Sequence, residues 1–206
     1  RFLKENIDVT KEDIKEMSRV IKKFVFDTTT AVDIGCHYGF FTRFLSEQFK
    51  TVHAFDFNND IFECFKENMK KFKCENVIAY PHGLGEKQKY VATNDWSERH
   101  KRRGPLANHI DPEGKKQLQK IKTLDSFNLE GVGLIMCDTE GYELNVIKGA
   151  LQTIKKCKPV LVLEFHNRKL TKKFGYTLKH LQDYVESLGY RSIGYMNKVD
   201  QIFVPE

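Results

Sequence analysis

Apolar positions along the chain follow two rhythms that take turns. From Thr10 to Phe24, residues Ile14, Met17, Ile21 and Phe24 recur at helical spacing. Thr10 and Asp13 form a capping-box start, with Asp in place of the commoner Glu or Gln. Ala31 to Ile34 is a short buried strand ended by Gly35; Phe40 to Gln48 reads as a helix and Thr51 to Phe55 as a strand. Asn59 or Asp60 can cap the next helix, which carries Phe62, Phe65, Met69 and Phe72 on one face. Asn76 to Tyr80 is a third strand, broken by Pro81-His82-Gly83. Regularity lapses from Leu84 to about Lys120. It returns with a strand from Gly133 to Cys137, a helix to about Ile154, and a strand from Pro159 to Leu163 that ends at Glu164. Leu178, Leu181, Val185 and Leu188 mark a late helix. Tyr190 to Tyr195 and Gln201 to Val204, joined through Met196-Asn197-Lys198, read as a closing hairpin.

Strands alternating with helices imply an α/β fold whose largely parallel sheet is covered on both faces. Right-handed crossovers bring every strand-to-helix loop to one sheet edge, where ligands bind. The hairpin adds an antiparallel strand at the far end, giving a seven-stranded, mostly parallel sheet. Residues 1–206 are expected to form a single Rossmann-like domain, with 1–28 an N-terminal helical segment and 84–120 an irregular basic excursion. That excursion holds Trp96 and the run Arg99-His100-Lys101-Arg102-Arg103.

Composition adjusts this picture only slightly. A chain of 206 residues, 40% apolar and with 16 Phe, can bury a core without disulfides. No apolar run approaches the ~20 residues of a membrane span. The start, Arg-Phe-Leu-Lys-Glu, has no signal-peptide pattern and no initiator Met, as expected of a trimmed N-terminus. Five cysteines without a Cys-x-x-Cys pair suit reduced thiols in a cytoplasmic compartment. The net charge of +6 favours acidic partners weakly, because lysines on helix faces commonly just solvate them. Nothing in the pattern indicates an oligomeric state.

The chemistry gathers where the strands end. Val32-Asp33-Ile34-Gly35-Cys36-His37-Tyr38-Gly39 follows a strand and opens a helix at Phe40, and its two glycines let the backbone turn sharply and approach a flat ligand. Asp56 closes the next strand 21 residues after Gly35, where a carboxylate can accept hydrogen bonds from ribose hydroxyls. The Gly-x-x-x-Gly turn lacks the third glycine of the dinucleotide fingerprint, and His37 and Tyr38 crowd the helix N-terminus that a pyrophosphate would need. A cofactor without phosphates fits better. Asp33 either faces the cationic half of such a cofactor or only hydrogen-bonds the following loop. His82 and Gly83 follow the third strand, where an adenine ring would lie; His82 reads equally as an ordinary loop residue.

Three segments together resemble the FkbM-type S-adenosylmethionine-dependent methyltransferase family. They are Val-Asp-Ile-Gly-Cys-His-Tyr-Gly-Phe-Phe-Thr at 32–42, Val-His-Ala-Phe-Asp-Phe at 52–57 with Asn68, and Thr123-Leu124-Asp125-Ser126-Phe127 followed by Cys137-Asp138-Thr139-Glu140-Gly141-Tyr142-Glu143-Leu144. The last continues through Ile147-Lys148-Gly149-Ala150 and Lys158-Pro159-Val160 to Glu164. The resemblance covers roughly residues 30–165. It implies a class I methyltransferase domain that binds S-adenosyl-L-methionine through Asp33, Gly35, His37, Tyr38, Gly39, Phe40, Asp56, Phe57, His82, Gly83 and Asp138, and that methylates a hydroxyl of a sugar or other small molecule. Asp56 stands where the family commonly has Glu, Phe57 where it has Pro, and Met136 where it has Lys. The last difference removes a cation beside the reaction centre.

For methyl transfer to a hydroxyl, a carboxylate or imidazole must take the proton. Asp138 and Glu164 end neighbouring strands, about 5 Å apart in a parallel sheet, so both can border one pocket. Asp138 is the expected acceptor-side carboxylate, and His166 or Glu140 the proton acceptor. Glu140 and Glu143 also fit the first turn of a helix, where acids stabilise the dipole by about 0.3–1 kcal/mol. Lys148 lies about 12–15 Å down that helix from Asp138, too far to complete a Lys-Asp-Lys-Glu tetrad. Asp138, Glu140, Glu164 and His166 are plausible metal ligands, but no tight His or Cys spacing supports a site, and no metal is expected. The basic excursion suits a substrate-recognising lid, attachment to nucleic-acid phosphates, or a solvated loop. Two other readings remain: a nucleic-acid (RNA ribose) methyltransferase, and a cofactor-binding module without catalysis, which Met136 favours.

Overall fold

A computed structural model describes residues 10–93, 110, 118–165 and 168–206, with 168–170 described in the backbone alone. The expected capping box opens helix α1 (Lys11–Phe24): the Thr10 N–H donates to Asp13 Oδ2 at 2.7 Å and the Asp13 N–H to Thr10 Oγ1 at 3.2 Å. The chain then alternates as the periodicity requires, through β1 (Thr30–Ile34), α2 (Phe40–Ser46), β2 (Thr51–Phe55), α3 (Asn59–Lys71) and β3 (Val77–Tyr80). The cap of α3 is Asn58 rather than Asn59 or Asp60; its side-chain oxygen accepts from the Asp60 and Ile61 N–H groups.

The stretch expected to be irregular contains a second, small sheet. Strands β4 (Gly83–Leu84), β5 (Lys89–Ala92) and β6 (Leu118–Lys122) pair in the order β4-β6-β5 and occupy both ends of that stretch, while 94–109 and 111–117 lie outside the described residues. The core closes with β7 (Val132–Cys137), α4 (Glu143–Lys148), α5 (Leu151–Cys157), β8 (Val160–Glu164), α6 (Arg168–Lys173), α7 (Leu178–Ser187), β9 (Tyr190–Met196) and β10 (Asp200–Pro205). The single helix expected after Asp138 is thus two. Gly149 lies between them and has no room for a side chain, since a Cβ there would lie 2.0 Å from the carbonyl oxygen of Gly85. Asp125, in a 3-10 turn over Leu124–Phe127, accepts from the Gln152 and Thr153 N–H groups at 2.9 Å each and so starts α5.

The main sheet has seven strands in the order β3-β2-β1-β7-β8-β10-β9. All pairings are parallel except those of β10 with β8 and with β9, as the alternation and the hairpin imply. Strands β1, β7 and β8 are buried along their whole length, the mark of a sheet covered on both faces. Met17, Val20 and Ile21 of α1 pack on one face with Val52, Leu134 and Val162. Val146, Ile147, Ile154, Leu181 and Val185 cover the other with Val32, Ile135 and Leu161. All five cysteines are free thiols. No helix among the described residues is long and apolar enough to cross a membrane.

Candidate active site

At the carboxyl edge of the sheet, the loops after β1, β2 and β7, the last residue of β8 and the turn between β9 and β10 surround a cavity of about 500 Å³. Backbone geometry at β1 builds its floor. Gly35 has φ 85°, and its N–H and that of Cys36 both donate to the Phe55 carbonyl, at 2.9 and 3.1 Å. A Cβ on Gly35 would lie 1.8 Å from the carbonyl oxygen of Asp138, so this glycine is required by the crossing of two loops. Gly39 does not line the cavity. It caps α2 with φ 84°, and a Cβ there would press on Met69 and Phe65 of α3. Asn68 ties the loop down by donating to the Tyr38 carbonyl at 2.9 Å.

Asp56 sits just past β2, with Oδ2 accepting from the His37 N–H at 3.1 Å and Oδ1 from the Asn58 N–H at 2.9 Å. A carboxylate has about four acceptor sites, so each oxygen keeps capacity toward the cavity that Asp56 lines. Burial raises its pKa, against these two hydrogen bonds. Asp33 is 3% exposed and accepts from the Thr42 hydroxyl of α2; burial pushes its carboxyl up to about 6. Asp33 therefore bonds the following helix and also lines the cavity. Phe57, Ile61, Leu84, Ile110 and Ile121 supply an apolar wall, and Gly83 lies against Phe57 and Ile121. His82 stands outside the lining; its Nδ1 lies 2.7 Å from the Pro81 carbonyl oxygen.

The other end of the cavity is acidic. Asp138, Glu140 and Glu164 place carboxylate oxygens within 4.8 Å of one another, three of the four residues the sequence offers as plausible metal ligands, in a grouping that would suit a hard cation. The register of β10 on β8 sets Asp200 opposite Glu164 and adds a fourth carboxylate to the lining. Carboxyls of Asp138 and Glu164 this close disfavour two charges side by side. Asp138 is exposed to the cavity; the protein packed around its carboxyl, then the charges of Glu140 and Asp200, raise its pKa well above the ordinary value. Burial, then Asp138, pushes Glu164 the same way. His166 lies outside the described residues, as does the basic run 99–103.

Glu143 does more than face a helix dipole. Buried to 1% exposure, its Oε1 accepts from the Thr139 N–H, the Thr139 hydroxyl and the Gly141 N–H, at 3.0, 2.9 and 3.1 Å. Periodicity also gave no sign of Asn197, Val199 and Asp200. They reach the cavity because the hairpin turns back over β8, and its antiparallel register was the one signal that could have found them. The lining thus holds six carboxyl side chains (Asp33, Asp56, Asp138, Glu140, Glu164 and Asp200) and, among the described residues, no Lys or Arg.

A family model described as the methyltransferase FkbM domain matches residues 33–192. The chain is 30% identical over 97 residues to a probable cobalt-precorrin-6B C(15)-methyltransferase (decarboxylating) of Methanococcus maripaludis, covering 47% of this chain and 51% of that protein. Among solved structures, the methyltransferase FkbM of Methylobacillus flagellatus superposes with a TM-score of 0.62 at 18% identity, covering 86% of this chain and 43% of that one. SMU.1697c of Streptococcus mutans, solved in complex with SAH, gives 0.56 at 14% identity, covering 95% and 97%. The chain therefore spans about half the length of the curated relative and less than half of the M. flagellatus protein. With the match over 33–192 and this fold, the chain belongs to the FkbM-type family of S-adenosylmethionine-dependent methyltransferase domains.

Proposed function

We propose that the cavity binds S-adenosylmethionine along β1 and β2 and methylates a hydroxyl of a neutral or cationic small molecule, a sugar being the favoured class, at the Asp138 end. The observation that carries this reading is the lining of six carboxyl groups without a described Lys or Arg. A sulfonium and an ammonium are attracted by such a field, whereas phosphates are repelled by it. RNA, nucleotides and other phosphate-bearing acceptors are disfavoured for the same reason. The five free thiols support a reducing, cytoplasm-like setting.

The residues present fit the cofactor. Asp56 keeps acceptor capacity for two ribose hydroxyls, Phe57, Gly83, Leu84 and Ile121 form an apolar slot for a flat base, and Asp33 and Asp138 lie on the side suited to the cationic half. S-adenosylmethionine supplies an electrophilic methyl carbon on a positively charged sulfur. The chain's own part is to hold an acceptor oxygen in line with that carbon and to take its proton. In such a transfer the methyl carbon would pass from sulfur to the acceptor oxygen, and the hydroxyl proton would pass to a carboxylate of this chain. Glu140, beside Asp138 and Glu164, is the favoured proton acceptor; His166 is a further candidate by its position two residues after Glu164.

Calorimetry followed by an acceptor screen tests the reading. S-adenosylmethionine and S-adenosylhomocysteine should both bind. Asp56→Ala should weaken both tenfold or more, since two hydrogen bonds to a charged group are lost at about 1.5–3 kcal/mol each. Methyl transfer is expected to glucose and glucosamine, and not to glucose 6-phosphate or an RNA oligonucleotide. Labelling of the RNA alone would reverse the acceptor assignment, and tight binding with no labelled product would favour a non-catalytic module.

A further inference from the structure

The loop between β7 and α4 has a backbone that does not hold itself. Glu140 has φ 55° and Gly141 φ 97°, two successive residues in the left-handed region, one of them with a side chain. The loop nonetheless sets Glu140 beside Asp138 and Glu164. One tie is the Glu140 N–H donating to Glu164 Oε2 at 3.1 Å. A second is Glu143 Oε1, which collects three donors from Thr139 and Gly141. The third comes from far along the chain. Tyr176, 4% exposed in the segment between α6 and α7, donates its hydroxyl to the Gly141 carbonyl at 2.6 Å and stands 3.2 Å from Glu143 Oε2. It thus fixes both the strained peptide and the carboxylate that holds the loop's other side.

We infer that Tyr176 is a positioning residue of the reaction centre, whose hydroxyl clasps the 139–141 loop in the conformation that presents Glu140 beside Asp138 and Glu164. Its effect on methyl transfer rests on the function proposed above; the clasp itself does not. The ring packs in the main core, so Tyr176→Phe keeps the packing and removes only the hydroxyl. Glu143→Gln keeps an oxygen that accepts the same three donors and a side-chain amide that can donate to the tyrosine oxygen.

Amide hydrogen exchange, S-adenosylhomocysteine calorimetry and methyl transfer to glucose and glucosamine, run on the wild type, Y176F and E143Q, test the clasp. In Y176F the Thr139 and Gly141 amides should exchange at least tenfold faster while those of Val132–Cys137 keep their rates. Affinity for S-adenosylhomocysteine should stay within threefold, because Asp56 is untouched, and kcat should fall at least tenfold with the KM for the methyl donor unchanged. E143Q should stay within threefold of the wild type in all three measurements. Wild-type exchange at Thr139 and Gly141 in Y176F overturns the clasp. Loosened amides with kcat within twofold overturn its positioning role, and an E143Q as slow as Y176F assigns the charge of Glu143 a chemical part instead. If the wild type binds S-adenosylhomocysteine but methylates neither sugar, the acceptor assignment fails and the exchange result alone decides the clasp.

Discussion

Asp33 is held on a fully buried strand with the Thr42 hydroxyl as its hydrogen-bond partner, and its carboxyl titrates at about 6 instead of the ordinary 3.8 because burial penalises the charged form. The folded state therefore binds this proton more tightly than the unfolded one. The resulting stability is complete below the ordinary value and is lost as pH rises toward about 6. Asp33→Asn should remove that loss. Thermal unfolding of the ligand-free chain at pH 8 is expected to show D33N more stable by about 2–3 kcal/mol, with the two proteins converging near pH 4; equal pH dependence in both would refute it. Asp33, Asp56 and Asp138 were legible in the sequence because each ends a strand, and a strand end in a parallel sheet has one place to be. Glu143 and Tyr176 were not. An acid in a first helical turn looks the same whether it faces the dipole or gathers three loop donors. Tyr176 owes its position to a contact with a residue 35 positions away.

At the scale of elements, the two glycines of the cofactor turn have different reasons to be glycine. Gly35→Ala drives a Cβ into the backbone carbonyl of Asp138, which cannot yield without parting β1 from the β7 loop. Gly39→Ala meets the ends of the Met69 and Phe65 side chains, of which Met69 can move. Both also pay for a left-handed residue, about 1–2 kcal/mol. Denaturant unfolding should show G39A destabilised by about that amount and G35A by clearly more; the reverse order would contradict the loop-crossing argument. The α/β alternation and the closing hairpin could be read from periodicity alone. The need for glycine at 149 could not, since it answers to the Gly85 carbonyl, a neighbour beside the small sheet that the polar strands β5 and β6 conceal.

The whole molecule has a formal charge of +6, yet the cavity is lined by six carboxyl groups and no described Lys or Arg. Overall charge thus does not describe the cavity, because lysines are scattered over helix faces while the acids converge at strand ends. Convergence is a property of topology and leaves no trace in composition. It carries a consequence for binding. S-adenosylmethionine bears one more positive charge than S-adenosylhomocysteine, and salt screens exposed charges over about 10 Å at 0.1 M. Raising salt from about 0.05 to 0.5 M should weaken the methyl donor more than its product in calorimetry. Parallel losses would mean that the sulfonium does not feel this field.

Ala92 and Leu118 face each other across β5 and β6, so the chain leaves the small sheet and re-enters it at neighbouring points. Gly85, at the root of the same sheet, is wedged against Gly149 and Tyr142 beside the reaction centre. Between Ala92 and Leu118, Thr93 and Ile110 bridge each other, and Ile110 enters the apolar wall of the cavity. A change at Ile110 is therefore felt in the cavity from the side of the small sheet, whereas Asp33 and Asp56 are carried by β1 and the end of β2 in the main sheet. Two sheets thus shape one cavity, and a substitution on either can alter it without displacing the other.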